Sequence, residues 1–242
     1  KGKDGFYLKA VFSRTVGLPE PDGRAVAVDV NENNAAFGSG NSITSIRTGE
    51  RAIRTAYFLK RRRLQSAPRL NERPLLAKYR GRERRRINDL YHRIAGKITA
   101  EARRVGASAV VLEDLRNLRK KRSSKALNGR LNRWSFRRLQ SIVDYKARLA
   151  GLSVRYVDAR GTSSLCPTCG GRLSPNGYRL VRCPACGLEG DRDAVAVRNL
   201  LRRCQMDVGA SSVRPESPPH DRRGEGMKVN AGLERLGISF GA

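Results

Sequence analysis

Residues 166–193 read C-P-T-C (Cys166 to Cys169), then 13 residues, then C-P-A-C-G-L-E-G-D-R-D (Cys183 to Asp193). Two C-x-x-C pairs at this separation form the pattern of a four-thiolate zinc site. Pro167, Pro184, Gly170, Gly171 and Gly187 supply tight turns, so each pair directs its sulfurs to one centre. Between the pairs, Tyr178, Leu180 and Val181 alternate as a short strand would. These features predict a zinc ribbon over residues 164–190, with Cys166, Cys169, Cys183 and Cys186 holding one structural Zn²⁺. A redox C-x-x-C fits less well, because two copies in one frame make a closed site. Asp191 and Asp193 follow at once, at the start of a helical run over 192–203. The ribbon thus delivers acidic side chains to a partner surface upstream.

The chain has 242 residues, 50 Lys and Arg against 22 Asp and Glu, and a net charge of +28. That length suffices for one sizeable domain and a small module. The positive excess exceeds what solubility requires and points to a polyanion, with nucleic acid the obvious one. Charge alone does not separate an enzyme from a histone-like binder. There is no apolar run of transmembrane length and no signal peptide, so the expectation is a soluble protein without membrane contact. Its expected place is inside the cell. Four of five cysteines in metal spacing agree with a reducing compartment. Cys204 reads as a packed helix residue. The absence of an initiator Met reads Lys1 as an internal residue of a longer protein or as an artificial start.

Working outward from the ribbon, residues 5–12 alternate weakly, and residues 1–24 read as the strand remnant of a preceding domain. Ala25-Val26-Ala27-Val28-Asp29-Val30 reads as a buried strand. Its Asp is costly there unless it is hydrogen-bonded, closes a turn with Asn31 to Asn34, or binds a metal. Residues 35–38 and 42–47 follow as short strands, making 25–48 an antiparallel meander. Helices are expected over 50–66, 75–105 and 132–150, with a basic loop over 116–130. A second apolar strand, 108–112, ends in Glu113-Asp114, and a third covers 152–157. His92 reads as a helix residue rather than a ligand, and Trp134 as core. The tail, 205–242, is rich in Pro, Ser, Gly and charge and reads as largely disordered. Residues 50–150 hold 30 Lys and Arg against 8 Asp and Glu, an excess of 22. They are expected to track phosphates, through Arg61, Arg62, Arg63, Arg84, Arg85, Arg86, Lys120, Lys121, Arg122 and Lys146.

Three carboxylates stand at element ends: Asp29, Glu113 and Asp193. Each alone is explicable as a turn or cap residue, and Asp193 as a helix N-terminal acid. Jointly, acids in these places of a β-β-β-α-β-α-β-α order are the pattern of a ribonuclease H-like domain. The predicted fold is therefore α/β: a ribonuclease H-like mixed sheet with flanking helices (25–163), an inserted ribbon (164–190) and a closing helix (191–204). Three acids in one cleft repel each other and call for hard divalent cations, Mg²⁺ or Mn²⁺. Two such ions about 3.5–4 Å apart activate water and stabilise the leaving oxygen of a phosphodiester.

With these residues in place, the chain resembles the C-terminal half of TnpB-type proteins, the OrfB products of insertion sequences, which are related to type V CRISPR effectors. Val28-Asp29-Val30, Leu112-Glu113-Asp114-Leu115 and Asp191-Arg192-Asp193 match the three acidic motifs of that family. Asp144-Tyr145-Lys146-Ala147, and Thr162-Ser163 before C-P-T-C, match further patterns, and the resemblance covers roughly residues 20–203. It implies that the sheet is of RuvC type and that the protein is an endonuclease that cuts DNA under a guide RNA. Two departures stand out. Val195 occupies the Asn position of the third motif, D-x-N, with Asn199 present downstream. The N-terminal half of the family, which carries guide and target recognition, has no counterpart in these residues. The alternatives are a non-catalytic DNA- or RNA-binding transposon accessory protein and a resolvase of branched DNA. No tyrosine-nucleophile signal for strand transfer is visible. Protein partners are not indicated.

Overall fold

The structure, a computed structural model, describes residues 10–11, 15–18, 22–40, 42–66, 72–116 and 124–206. The expected strand over 5–12, the tail beyond 206, and Lys120, Lys121 and Arg122 lie outside the described residues or mostly so.

Alternating apolar residues build a five-stranded sheet in the order β3-β2-β1-β4-β5. β1 (Ala25–Val30) pairs antiparallel with β2 (Asn34–Ser39), which pairs antiparallel with β3 (Ser42–Arg47). On its other edge β1 runs parallel to β4 (Ala109–Asp114), and β4 parallel to β5 (Ser153–Asp158). The central strands are apolar on both faces because helices cover both. Val26, Val28, Val110, Leu112 and Tyr156 pack with Tyr91, Ile94 and Ile98 of α2 (Glu72–Arg104) and with Leu139 and Val143 of α4 (Phe136–Leu149). Residues of the opposite parity, Ala27, Ala36, Val111 and Val157, face Val197 and Leu200 of α5 (Arg192–Gln205), where Cys204 also packs. Small alanines on this side let α5 approach the sheet.

The meander over 25–48 and the helix over 50–66, α1 (Glu50–Ser66), are found as expected. α1 and α2 are tied by a buried polar cluster. The Tyr91 hydroxyl donates to Glu50 at 2.6 Å, and Arg54 donates to the same carboxylate.

Three expectations are corrected. The helix over 132–150 is two helices, and the basic loop over 116–130 is helical from residue 125. α3 (Lys125–Arg133) is capped by the Ser124 hydroxyl and stops at Trp134, whose backbone is extended. Trp134 and Phe136 are both buried, with ring centroids 5.2 Å apart. Residues two apart point to opposite sides of a helix, so an unbroken helix would not bury both. In the ribbon, the central strand starts at Leu180 rather than Tyr178. A small antiparallel sheet runs β6 (Ser174–Pro175), β7 (Leu180–Arg182), β8 (Glu189–Asp191), in that order. Tyr178 sits in the turn before β7.

Candidate catalytic cleft and cysteine centre

Strand register brings the first two carboxylates together. Val28 is level with Leu112 in the parallel pair, so Asp29 and Glu113 are the next residues on neighbouring strands. They share parity with Ala27 and Val111, and so point to the α5 side of the sheet. The third acid comes from the N-terminus of α5. Asp191 caps that helix, its carboxylate accepting from the Asp193 and Ala194 amides at 2.8 and 3.2 Å. The cap fixes the first turn and aims Asp193 at the strand ends. All three acids are buried and line one cavity of about 1500 Å³, larger than the roughly 300–1,000 Å³ of small-molecule sites.

Amide and hydroxyl groups hold the three in place. Asn31 donates from one nitrogen to Asp29 at 2.8 Å and to Asp193 at 3.2 Å. Asn34 donates to Asp193, as does Arg179, which reaches in from the ribbon. Thr162 donates to Glu113 at 3.2 Å, and the Gln140 amide secures the Glu113 backbone carbonyl at 2.7 Å. Burial pushes Asp29 up to about 6, against the pull of the Asn31 hydrogen bond and of Arg179 and Arg192. Burial, then the neighbouring Asp29 charge, raises Glu113 well above the usual carboxylate range. Three acids buried together in one cavity suit hard cations, and an all-oxygen donor set fits Mg²⁺ or Mn²⁺. The neighbouring acids have other duties. Asp191 is the cap, and Asp114 pairs with Arg116 at 2.5 Å on the surface.

Of the residues singled out for phosphate contact, Arg62, Arg63, Arg84, Arg85 and Arg86 are exposed on α1 and α2. Arg61 pairs with Glu83, and Lys146 donates to the His92 carbonyl at 2.9 Å. None of these lines the cleft. The arginines that do are Arg47, Arg130, Arg160, Arg179 and Arg192. Arg130 belongs to the basic stretch 116–130 and Arg192 to the third acidic motif, but neither was singled out for phosphate contact; Arg47, Arg160 and Arg179 stand singly at a strand end or in loops, outside any basic run. Asn31 and Asn34 were read only as turn residues, although an Asn cluster directly after a strand-end acid was the available signal. Asn199 is not at the cleft. Its amide donates to the Thr162 and Leu165 carbonyls at 2.7 and 2.8 Å and so anchors the segment leading into the ribbon. Val195 is fully buried. His92 accepts or donates to the Tyr145 hydroxyl at 3.1 Å, as a packed helix residue would.

The cysteine centre is the one group of potential metal ligands, among the described residues, whose donor atoms all lie within 4.8 Å of one another. Cys166 and Cys186 sulfurs are 3.6 Å apart and Cys169 and Cys183 3.4 Å. A tetrahedron with Zn–S of about 2.3 Å has edges of about 3.8 Å, so the set fits Zn²⁺. Burial opposes ionisation of Cys166, but backbone amides of Cys169 and Thr168 bring it down to about 6. Cys186 accepts from the Leu188 amide, yet contact with the other sulfurs drives it up to about 12. Four thiols this close ionise together only around a cation. Cys204 stands apart from them.

Residues 136–200 match the Cas12f1-like TNB domain family. A TnpB-like protein of Methanocaldococcus jannaschii is 38% identical over 199 residues, 76% of this chain and 70% of that protein. The CRISPR-associated endodeoxyribonuclease Cas12f1 of Sulfoacidibacillus thermotolerans is 35% identical over 111 residues, 45% of this chain but 25% of its own length. Among solved structures, Cas12f1 in a cryo-EM complex with sgRNA and target DNA superposes with a TM-score of 0.59 at 21% identity, over 76% of this chain and 51% of that one. The mixed sheet with its flanking helices is thus the ribonuclease H-like, RuvC-type fold. The chain spans about half or less of the Cas12f1 proteins. With 38% identity across 70% of the archaeal relative, it belongs to the TnpB-like family, of the TnpB and Cas12f nuclease type.

Proposed function

We propose that the chain is the nuclease portion of an RNA-guided DNA endonuclease, hydrolysing phosphodiester bonds at Asp29, Glu113 and Asp193 with two divalent ions. The observation that carries this reading is that one buried cleft is lined by all three acids and walled by five arginines. Bound there, Mg²⁺ or Mn²⁺ would supply Lewis-acid activation of water and stabilise the leaving oxygen. The chain's own residues position the donors. Asn31 spans Asp29 and Asp193, Thr162 orients Glu113, and the Asp191 cap sets the direction of Asp193. Arg47 and Arg160 would hold the polyanion in line. Zn²⁺ on Cys166, Cys169, Cys183 and Cys186 keeps the ribbon folded against α5. DNA and a guide RNA are the partners, as in the Cas12f1 complex with sgRNA and target DNA. Guide recognition is expected of the part of the Cas12f1 relatives that this chain does not match. No helix of the described residues is long and apolar enough to cross a membrane. The function places the protein in the prokaryotic cytoplasm, at the nucleoid.

The test is Asp29→Ala, assayed for divalent-dependent cutting of guided duplex and of single-stranded DNA. Cutting is lost, binding persists, and melting is unchanged or raised because a buried like-charge contact is removed. If the wild type binds nucleic acid but cuts neither substrate with Mg²⁺ or Mn²⁺, the chain is a non-catalytic accessory binder.

A further inference from the structure

The ribbon turn between β6 and β7, residues 176–179, stands at the mouth of the cleft, and its two ends are fastened. The Asn176 amide donates to the Leu180 carbonyl at 2.9 Å and the Arg192 amide to the Arg179 carbonyl at 2.8 Å. Arg179 is the one non-glycine residue with a positive φ, +64°, among the described residues. Left-handed backbone is unfavourable for a side chain of this kind and persists where surroundings impose it. Here its guanidinium bonds Asp193 and lies 3.6 Å from Asp191. With Arg179 turned inward, its neighbour Tyr178 is left 91% exposed, and Tyr178 is among the residues lining the cavity that contains Asp29, Glu113 and Asp193. A lone exposed aromatic is ordinary on a protein surface. This one is carried on a doubly fastened turn, one residue from a direct contact to a cleft acid. Arg47 and Arg160, which make no ion pair among the described residues, line the same cavity.

We propose that the Tyr178 ring is a stacking platform for an unpaired nucleobase of the strand lying in the cleft. It rests on the reading of that cleft as a nuclease site. Aromatic faces and cationic side chains together are how proteins grip single-stranded nucleic acid without reading its sequence. A base inside a duplex has both faces covered by its neighbours, so an isolated ring can accept only one that has left the stack. Tyrosine holds few rotamers, and the fastened turn fixes its backbone, so little freedom is lost on contact. The platform positions the strand; it takes no part in bond breaking.

The experiment measures binding of dye-labelled single-stranded and double-stranded oligodeoxynucleotides to the full chain, with Ca²⁺ as the sole added divalent ion. Wild type is compared with Tyr178→Ala, Tyr178→Leu, Tyr178→Phe and Tyr178→Trp. Because the ring has no buried contact, all should fold alike. Alanine and leucine lower single-strand affinity about five- to 150-fold, the range for losing one base–aromatic stack. Phenylalanine and tryptophan retain it, and duplex affinity is unchanged throughout. The tryptophan variant adds a second readout. The one native tryptophan, Trp134, is buried but lines the same cavity, so wild-type emission is subtracted; the remainder reports the turn and is quenched by single strands but not by duplex. Wild-type single-strand affinity in Tyr178→Ala overturns the platform. So does rescue by leucine as good as by phenylalanine, or an equal loss for duplex. Mg²⁺-dependent cutting by the wild type is scored separately. Absent cutting with the predicted binding pattern removes the nuclease reading and leaves the platform. Cutting with unaltered Tyr178→Ala binding removes the platform alone.

Discussion

At the cysteine centre, four sulfurs already stand at the spacing a metal needs, with the Cys169–Cys183 pair 3.4 Å apart. In the cleft, three carboxylates face one cavity without closing to so tight a group. The Asn31 amide bridges Asp29 and Asp193, and Asn34 and the Arg179 guanidinium hold Asp193. The difference follows from how each set is assembled. Each cysteine pair lies within one turn of chain, so local backbone gathers the ligands and leaves no open position. The acids are contributed by two strands and a helix far apart in sequence, and only the finished sheet brings them together. A site built by turns is closed and structural. A site built by register is adjustable and open to a substrate.

The largest expected effect breaks the comparison at the ribbon. Removing zinc, or substituting Cys183→Ser, should unfold residues 164–190, since such metal binding carries on the order of 10 kcal/mol. The five-stranded sheet should survive. Hydrogen exchange should show lost protection at Cys183 and Leu180 with retained protection in β1 and β4. Purified protein should contain one zinc per chain, unchanged in Cys204→Ser. A global loss of protection would mean that the sheet depends on the ribbon.

The second concerns protons in the cleft. Asp29 has a folded pKa of about 6 against an ordinary value of 3.8, so the folded state binds the proton more tightly than the unfolded chain. The stability linked to that proton is complete below about pH 4 and is lost as pH rises through about 6. The loss is on the order of 3 kcal/mol for this carboxylate. Melting of zinc-loaded, magnesium-free protein should therefore fall between pH 4 and pH 7 more steeply than for Asp29→Asn. Saturating Mg²⁺ should recover much of the difference at pH 7 and little at pH 5. Equal pH slopes for the two proteins would show that Asp29 is not strained by its charge.

The smallest effect separates neighbours. Asp191→Ala removes the α5 cap that aims Asp193 and should cost about 1 kcal/mol in urea unfolding, with cutting lowered but not abolished as in Asp29→Ala. Asp114→Ala removes an exposed pair with Arg116 and should change stability by less than about 0.5 kcal/mol. Abolished cutting in Asp114→Ala would mean that the register argument assigns the wrong acid of β4.

The cysteine centre was fully legible in sequence because its geometry is local. Asp29 and Glu113 were legible as acids closing apolar strands, since an acid in such a run needs a reason. Their common face was not legible, because it depends on which residue of β4 stands level with Val28. The break between α3 and α4 was missed for a related reason. The helical period fits either side of Trp134, and only the need to bury both Trp134 and Phe136 interrupts it. Arg179 was invisible, since its contact with Asp193 depends on a left-handed turn that a lone arginine does not announce.

β8 ends at Asp191, and the same residue caps α5. The junction therefore has no slack: a single side chain is at once the last rung of the small sheet and the first lock of the helix. Swinging the ribbon by even a modest angle would pull that lock and loosen the turn carrying Asp193. A tug on the ribbon is thus felt as a change in aim at the cleft, as a trigger is felt at a hammer.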